Sequence, residues 1–165
     1  MTEKITGVIP ALYTPFDKNG DIDHGALKSL VEYNIEKGVS GFYVNGSTAE
    51  VFLLSEEERK SVYKTVADAA KGKVKLIAHV GAISTDQAIS YGKYAKELGY
   101  DAISAVSPFY YKFSFDQIKE HYFNIVNSVD MPMLIYNIPV YTGVSLSVNQ
   151  VSQFFSDVRF VGIKH

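Results

Sequence analysis

The chain has 165 residues, 47% of them hydrophobic, and a formal net charge of -2: ample apolar material for one packed domain, and no basic excess to recommend nucleic acid or an anionic membrane. It contains no cysteine, which excludes disulfides, thiolate metal sites and thiol nucleophiles together. The first residues lack the long apolar core of a signal peptide and no stretch approaches the ~18 apolar residues of a membrane span, so the expectation is a cytoplasmic protein acting on a small molecule.

Residues 7–13, Gly-Val-Ile-Pro-Ala-Leu-Tyr, predict a first strand, followed by the turn signal Asp17-Lys18-Asn19-Gly20-Asp21. Asp23 is an N-cap for a helix whose apolar residues at 27, 30, 31 and 35 keep helical spacing and which stops at Lys37-Gly38. A second strand over 41–45 leads into the loop Gly46-Ser47-Thr48-Ala49-Glu50. Ser55-Glu56-Glu57-Glu58 has the form of a capping box and opens a helix that ends at Lys71-Gly72. Strand three spans 74–80, and its helix starts near Ser84 or Thr85 and runs towards Gly99. Strand four, 101–106, enters Ser107-Pro108-Phe109-Tyr110-Tyr111, and a helix with apolar positions 118, 122, 125 and 126 follows. Strand five spans 133–137, its loop 138–143, and Ser147 caps a short helix before a terminal strand over 160–164.

About six strands alternating with five helices spell a repeated βα architecture and a parallel sheet. A doubly wound sheet normally finishes with a helix over its last strand, whereas a (β/α)8 TIM barrel needs about 250 residues. The pattern here ends on a strand with an apolar face and an open edge, so the expectation is a single (β/α) barrel domain over 1–165 that is incomplete on its C-terminal side. The alternative is a non-catalytic barrel fragment that binds a partner through that edge.

On such a frame the loops after the strands converge on one face, and chemistry is sought there. Lys164 ends the terminal strand. A nucleophilic lysine must spend time neutral, which from an ordinary pKa near 10.4 takes about 4 kcal/mol of desolvation or neighbouring charge. The bland reading is a surface lysine at a strand end. Ser47 and Thr48 offer hydroxyls and backbone N–H groups that suit a carboxylate or a phosphate, or else form a turn that satisfies its own backbone. Tyr136 is either a proton relay and oxyanion donor or a packed ring with one satisfied hydroxyl, and Tyr110 and Tyr111 carry the same two readings. His79 reads as a hydrogen-bonded core histidine, His24 and His121 as solvated helix residues, and Glu50 as a general acid or base or a loop cap. No Walker motif or Gly-x-Gly-x-x-Gly occurs, so neither nucleotide nor metal is inferred.

Five stretches in order resemble the N-acetylneuraminate lyase and dihydrodipicolinate synthase family of class I aldolases. They are Ala11-Leu12-Tyr13-Thr14-Pro15-Phe16, residues 41–50, Ser107-Pro108-Phe109-Tyr110-Tyr111, Tyr136-Asn137-Ile138-Pro139 with Thr142-Gly143, and Gly162-Ile163-Lys164. The resemblance implies a TIM barrel in which Lys164 forms a Schiff base with pyruvate and no other cofactor or metal is used. It makes Tyr136 the phenol that moves the proton, and gives the pyruvate carboxylate to Ser47 and Thr48, with Ser47 also touching Tyr136. Tyr110 becomes a supporting residue that reaches the site of a neighbouring subunit, in a homo-oligomer that the family implies to be a tetramer. Tyr141 stands where dihydrodipicolinate synthases typically place an arginine, and Gly46-Ser47-Thr48 and Phe109-Tyr110-Tyr111-Lys112-Phe113 look like the sialic acid lyases. The implied reaction is reversible cleavage of N-acetylneuraminate to N-acetylmannosamine and pyruvate, with aspartate semialdehyde or a ketodeoxy sugar acid as alternative substrates. Two departures stand out: Ala49 replaces a customary glycine, which matters only if φ there is positive, and His165 follows the lysine, where it lowers the lysine's proton affinity when protonated or simply packs.

Overall fold

The computed structural model describes residues 5–165. The chain divides into two compact units, one running to His79 with Glu97–Asp101 added, the other made of Val80–Lys96 and Ala102–His165.

The first unit holds α1 (His24–Glu36), β1 (Gly41–Val44), α2 (Glu56–Ala70) and β2 (Lys75–His79). Each boundary follows its local signal. Asp23 accepts the Ala26 N–H at 2.8 Å, and Gly38 takes φ +84 after the last turn of α1. Ser55 and Glu58 complete the reciprocal capping box at the start of α2, and Lys71 leaves it in the left-handed conformation. β1 and β2 pair in parallel, Gly41 with Lys75 through Val44 with Ala78. All four residues of β1 are buried, as a strand covered on both faces requires. Gly41 is needed there because a Cβ would lie 2.5 Å from the Lys75 carbonyl oxygen. Leu27 and Val31 of α1 and Val62, Tyr63 and Val66 of α2 supply the helical side of this core.

The strand expected over 7–13 is reduced to one parallel bridge, Ala11 with Tyr43. Tyr43 donates its N–H to the Pro10 carbonyl at 2.9 Å and Leu12 donates to the Tyr43 carbonyl at 3.1 Å. Pro10 has no N–H to extend the ladder, and Gly7 at φ +99 leaves the extended region.

The second unit holds α3 (Thr85–Glu97), β3 (Ala102–Val106), α4 (Phe115–Val129), β4 (Met133–Tyr136), α5 (Pro139–Thr142), α6 (Val148–Phe154) and β5 (Phe160–Lys164). β4 pairs in parallel with β3 on one side and with β5 on the other. Ile118, Tyr122, Ile125 and Val126 of α4 are all buried, as their spacing predicts. Phe154, fully buried, packs its ring 5.2 Å from Tyr122 and 5.4 Å from Phe160. The segment expected as loop over 138–143 contains one helical turn, opened by Pro139 at its first position and closed by Gly143 at φ +68. In β5 Phe160 is buried while Val161 and Ile163 are 39% and 42% exposed. Among the described strands β5 pairs only with β4, and its successive side chains point to opposite faces of the sheet.

His121 corrects a second expectation. It is buried, not solvated, with 4% exposure, and its Nδ1 lies 2.8 Å from the Thr85 hydroxyl. Its Nε2 meets no partner among the described residues, and burial pushes its pKa down from 6.5 to about 4. The helix period explains the error: 121 sits three residues after Ile118 and four before Ile125, on the same apolar face. The folded state therefore holds His121 neutral while the unfolded chain protonates it first. Its contribution is complete above pH 6.5 and is lost as pH falls towards 4, on the order of 3 kcal/mol in all. Chemical unfolding followed across that window is expected to show the loss, and His121→Asn, which retains a hydrogen-bonding group towards Thr85 but does not titrate, is expected to remove it. Equal acid slopes in both proteins would exclude His121 as their source.

Candidate active site

In the second unit, β4 and β5 end side by side, with Tyr136 in register with Lys164. Parallel partners in register project to the same face of the sheet, and the consequence is close contact: Lys164 Nζ lies 3.6 Å from the centroid of the Tyr136 ring. Asn137 donates its N–H to the Lys164 carbonyl at 2.8 Å, so the two strands stay joined one residue beyond Tyr136. Tyr136 is buried at 5% exposure, while Lys164 is half-buried. The arrangement brings an amine and a phenol-bearing ring together at the carboxyl ends of adjacent parallel strands, the end where parallel α/β sheets hold ligands. His165 lies beside it, with Nδ1 3.2 Å from the Asn137 carbonyl. A carbonyl only accepts, so Nδ1 donates this hydrogen bond.

In the first unit, β1 runs into Asn45, which takes φ +59, and then into a single 3-10 turn over Ser47–Ala49. Ser47 is half-buried and Thr48 exposed. The hydroxyls of Ser47 and Thr48 and the opening N–H groups of the turn thus lie together on one short segment. Gly46 permits this path because a Cβ there would lie 2.7 Å from the Tyr43 ring. Thr14 fastens the far end, its hydroxyl donating to the Ala49 carbonyl at 3.0 Å. Ala49 does not fall in the positive-φ region, so its replacement of a glycine carries no backbone cost. Glu50, which does adopt φ +53, is exposed.

Tyr110 is 83% exposed and takes φ +77, with its ring edge-on to Tyr111 at 4.9 Å. A bulky residue in that region is strained. His79 is the fully buried, hydrogen-bonded histidine expected, its Nδ1 2.8 Å from the Asn45 carbonyl. Its partner Arg59 is the residue sequence reasoning missed: it is 3% exposed and donates through its guanidinium to the His79 carbonyl at 3.1 Å. The signal was present, since 59, 62, 63 and 66 fall on one helical face. Among the described residues no group of three or more histidine, aspartate or glutamate side chains is placed to hold a metal ion, and no helix is long and apolar enough to cross a membrane.

A parallel βα repeat whose paired strands end side by side is the frame of an α/β barrel. Residues 4–165 match the dihydrodipicolinate synthetase family, and the chain belongs to it. The chain is similar to CdNal from Clostridium difficile, solved in complex with mannosamine, at 43% identity and a TM-score of 0.96 over 99% of this chain and 57% of that one. It is similar to N-acetylneuraminate lyase from Fusobacterium nucleatum at 44% identity and a TM-score of 0.90, covering 95% of this chain and 54% of that one. Dihydrodipicolinate synthase from Aquifex aeolicus matches at 34% identity and a TM-score of 0.93, over 98% and 55%. The chain thus spans a little over half the length of these structures, and its fold is part of a (β/α)8 barrel.

Proposed function

We propose that the protein is a cytoplasmic class I aldolase that cleaves N-acetylneuraminate reversibly to N-acetylmannosamine and pyruvate, with Lys164 as the Schiff-base nucleophile and residues 1–165 as part of one barrel domain. The observation that carries the reading is the Lys164–Tyr136 pair on adjacent strand ends, amine against ring at 3.6 Å. In the cleavage direction the neutral amine of Lys164 attacks the C2 carbonyl of the open-chain keto acid, and loss of water gives an iminium. The C3–C4 bond then breaks. Its electron pair flows into the iminium to form an enamine, while the Tyr136 oxygen, having given its proton to the hydroxyl that left as water, takes the proton of the C4 hydroxyl, and C4 becomes the aldehyde carbon of N-acetylmannosamine. Protonation at C3 and hydrolysis release pyruvate and regenerate the amine. The iminium is the electron sink, so the reaction needs no metal or organic cofactor. Ser47 and Thr48 take the pyruvate carboxylate through hydroxyl and amide donors.

Tyr141 favours the sialic acid substrate. It is 72% exposed on α5 where dihydrodipicolinate synthases typically carry an arginine for a second carboxylate, and a phenol supplies no such charge. The two lyase-like structures at 43% and 44% identity point the same way as against 34% for the synthase. The exposed, strained Tyr110 supports a homo-oligomer, a tetramer, in which it serves a neighbouring subunit's site.

Treating the intact protein with pyruvate and borohydride is expected to add one reduced pyruvate to the peptide that contains Lys164. An unmodified Lys164 in a folded, intact protein would overturn the reading. Release of pyruvate from N-acetylneuraminate, set against condensation of pyruvate with aspartate semialdehyde, decides the substrate; activity in the second assay alone would make it a synthase.

A further inference from the structure

We infer that His79 and Arg59 are positioning residues for the carboxylate-binding turn, acting through Asn45; the inference rests on the role given above to Ser47 and Thr48. Asn45 is the hinge between β1 and that turn. It is fully buried and left-handed at φ +59, and it is tied on both sides. Its carbonyl accepts from His79 Nδ1 at 2.8 Å, and its amide Nδ2 donates to the Arg59 carbonyl at 3.0 Å. The two anchors are themselves joined, because the Arg59 guanidinium and the Tyr63 hydroxyl both donate to the His79 carbonyl. Phe52 closes the group, edge-on to the His79 ring at 6.0 Å and 6.0 Å from the Arg59 guanidinium carbon.

This arrangement fixes more than the core. A carbonyl cannot donate, so the Asn45 contact sets the His79 tautomer with the proton on Nδ1. A left-handed asparagine is tolerated but not required by its own backbone, so its conformation depends on what holds it. Two and three residues later come Ser47 and Thr48, and between them and Asn45 Gly46 lies against the Tyr43 ring. A change in the dihedral angles of Asn45 redirects every donor of the turn. Burying an arginine and a histidine costs solvation that an apolar core would not incur, and fixing this hinge is what the cost achieves.

The test uses the intact protein and reads pyruvate half-saturation in two ways, from borohydride trapping on Lys164 and from steady-state condensation, with unfolding followed in parallel. His79→Leu removes the Nδ1 donor. It is expected to raise pyruvate half-saturation about tenfold, the equivalent of one hydrogen bond lost from the site's support, and to leave turnover at saturating pyruvate and the half-saturation for the sugar near their original values. His79→Asn restores an N–H at the position of Nδ1 and is expected to return pyruvate half-saturation close to that of the unaltered protein. A folded His79→Leu variant with unchanged pyruvate half-saturation would overturn the inference, as would a folded His79→Asn variant that fails to restore it. If His79→Leu does not fold, Asn45→Gly decides: glycine keeps the left-handed backbone without strain and loses only the side-chain tie to Arg59. A raised half-saturation supports the inference and an unchanged one overturns it. An unaltered protein that forms no adduct on Lys164 refutes the aldolase reading and this inference together, whereas adduct formation with indifferent variants refutes this inference alone.

Discussion

Replacing Lys164 by methionine is expected to abolish the trapped pyruvate adduct and to lower turnover on the order of 10⁶-fold, about 8 kcal/mol at the barrier, the scale on which removal of a covalent nucleophile acts. Methionine keeps an unbranched chain as long as the lysine stem, with sulfur at the δ position, and has no amine. The folded state gives up the contact between Nζ and the Tyr136 ring at 3.6 Å, worth about 0.5 to 2 kcal/mol, so the variant is expected to remain folded. The two effects differ so widely that they cannot be confused. A surface lysine at a strand end would show the reverse, a small change in stability with turnover intact, and that result would remove Lys164 from the mechanism.

The parts of the fold that follow local rules were legible. Asp23, Ser55 and Ser147 each cap the helix they were expected to open, because a short oxygen-bearing side chain before an apolar period satisfies N–H groups that nothing else reaches. The apolar runs that became β1 to β5 were legible for the same reason. What failed was the reading of polar residues one at a time. His121 and Arg59 look solvated by type, yet the helix period places both on buried faces, and tertiary partners, Thr85 for one and the His79 carbonyl for the other, make burial tolerable. The first strand failed because a ladder needs donors in sequence, and Pro10 removes one that a hydropathy pattern does not register.

The candidate site was legible in a different sense. Lys164 and Tyr136 lie 28 positions apart in the sequence, and no spacing rule connects them. Only strand pairing with a particular register does so, and a shift by one residue would send one of them to the opposite face. The irregularity between Met133 and Leu134 lies at the far end of β4, leaving the pairing regular where Tyr136 and Lys164 meet. The Asn45 hinge was illegible, since residue 45 reads as the last residue of a strand and its left-handed backbone is imposed by contacts from residues 59 and 79.

Tyr136→Phe separates chemistry from packing on the other side of the pair. The substitution removes one oxygen and keeps the ring, so the contact with Lys164 Nζ survives. If the phenol takes the C4 hydroxyl proton, its loss is expected to slow turnover about 10²- to 10⁴-fold, some 3 to 5 kcal/mol at the barrier. The pyruvate adduct on Lys164 is expected to form still, because the amine is untouched, so trapping persists while cleavage fails. A hydroxyl that only packs predicts otherwise. Tyr136 is 5% exposed, and a hydrogen-bond partner stranded by the change would cost about 1 to 3 kcal/mol of stability with turnover per folded molecule nearly intact. Measuring turnover on the intact protein, corrected for folded fraction and set beside unfolding and trapping, distinguishes the two. A variant that is less stable, traps pyruvate and cleaves at the original rate would place Tyr136 in the core and leave the proton to another base.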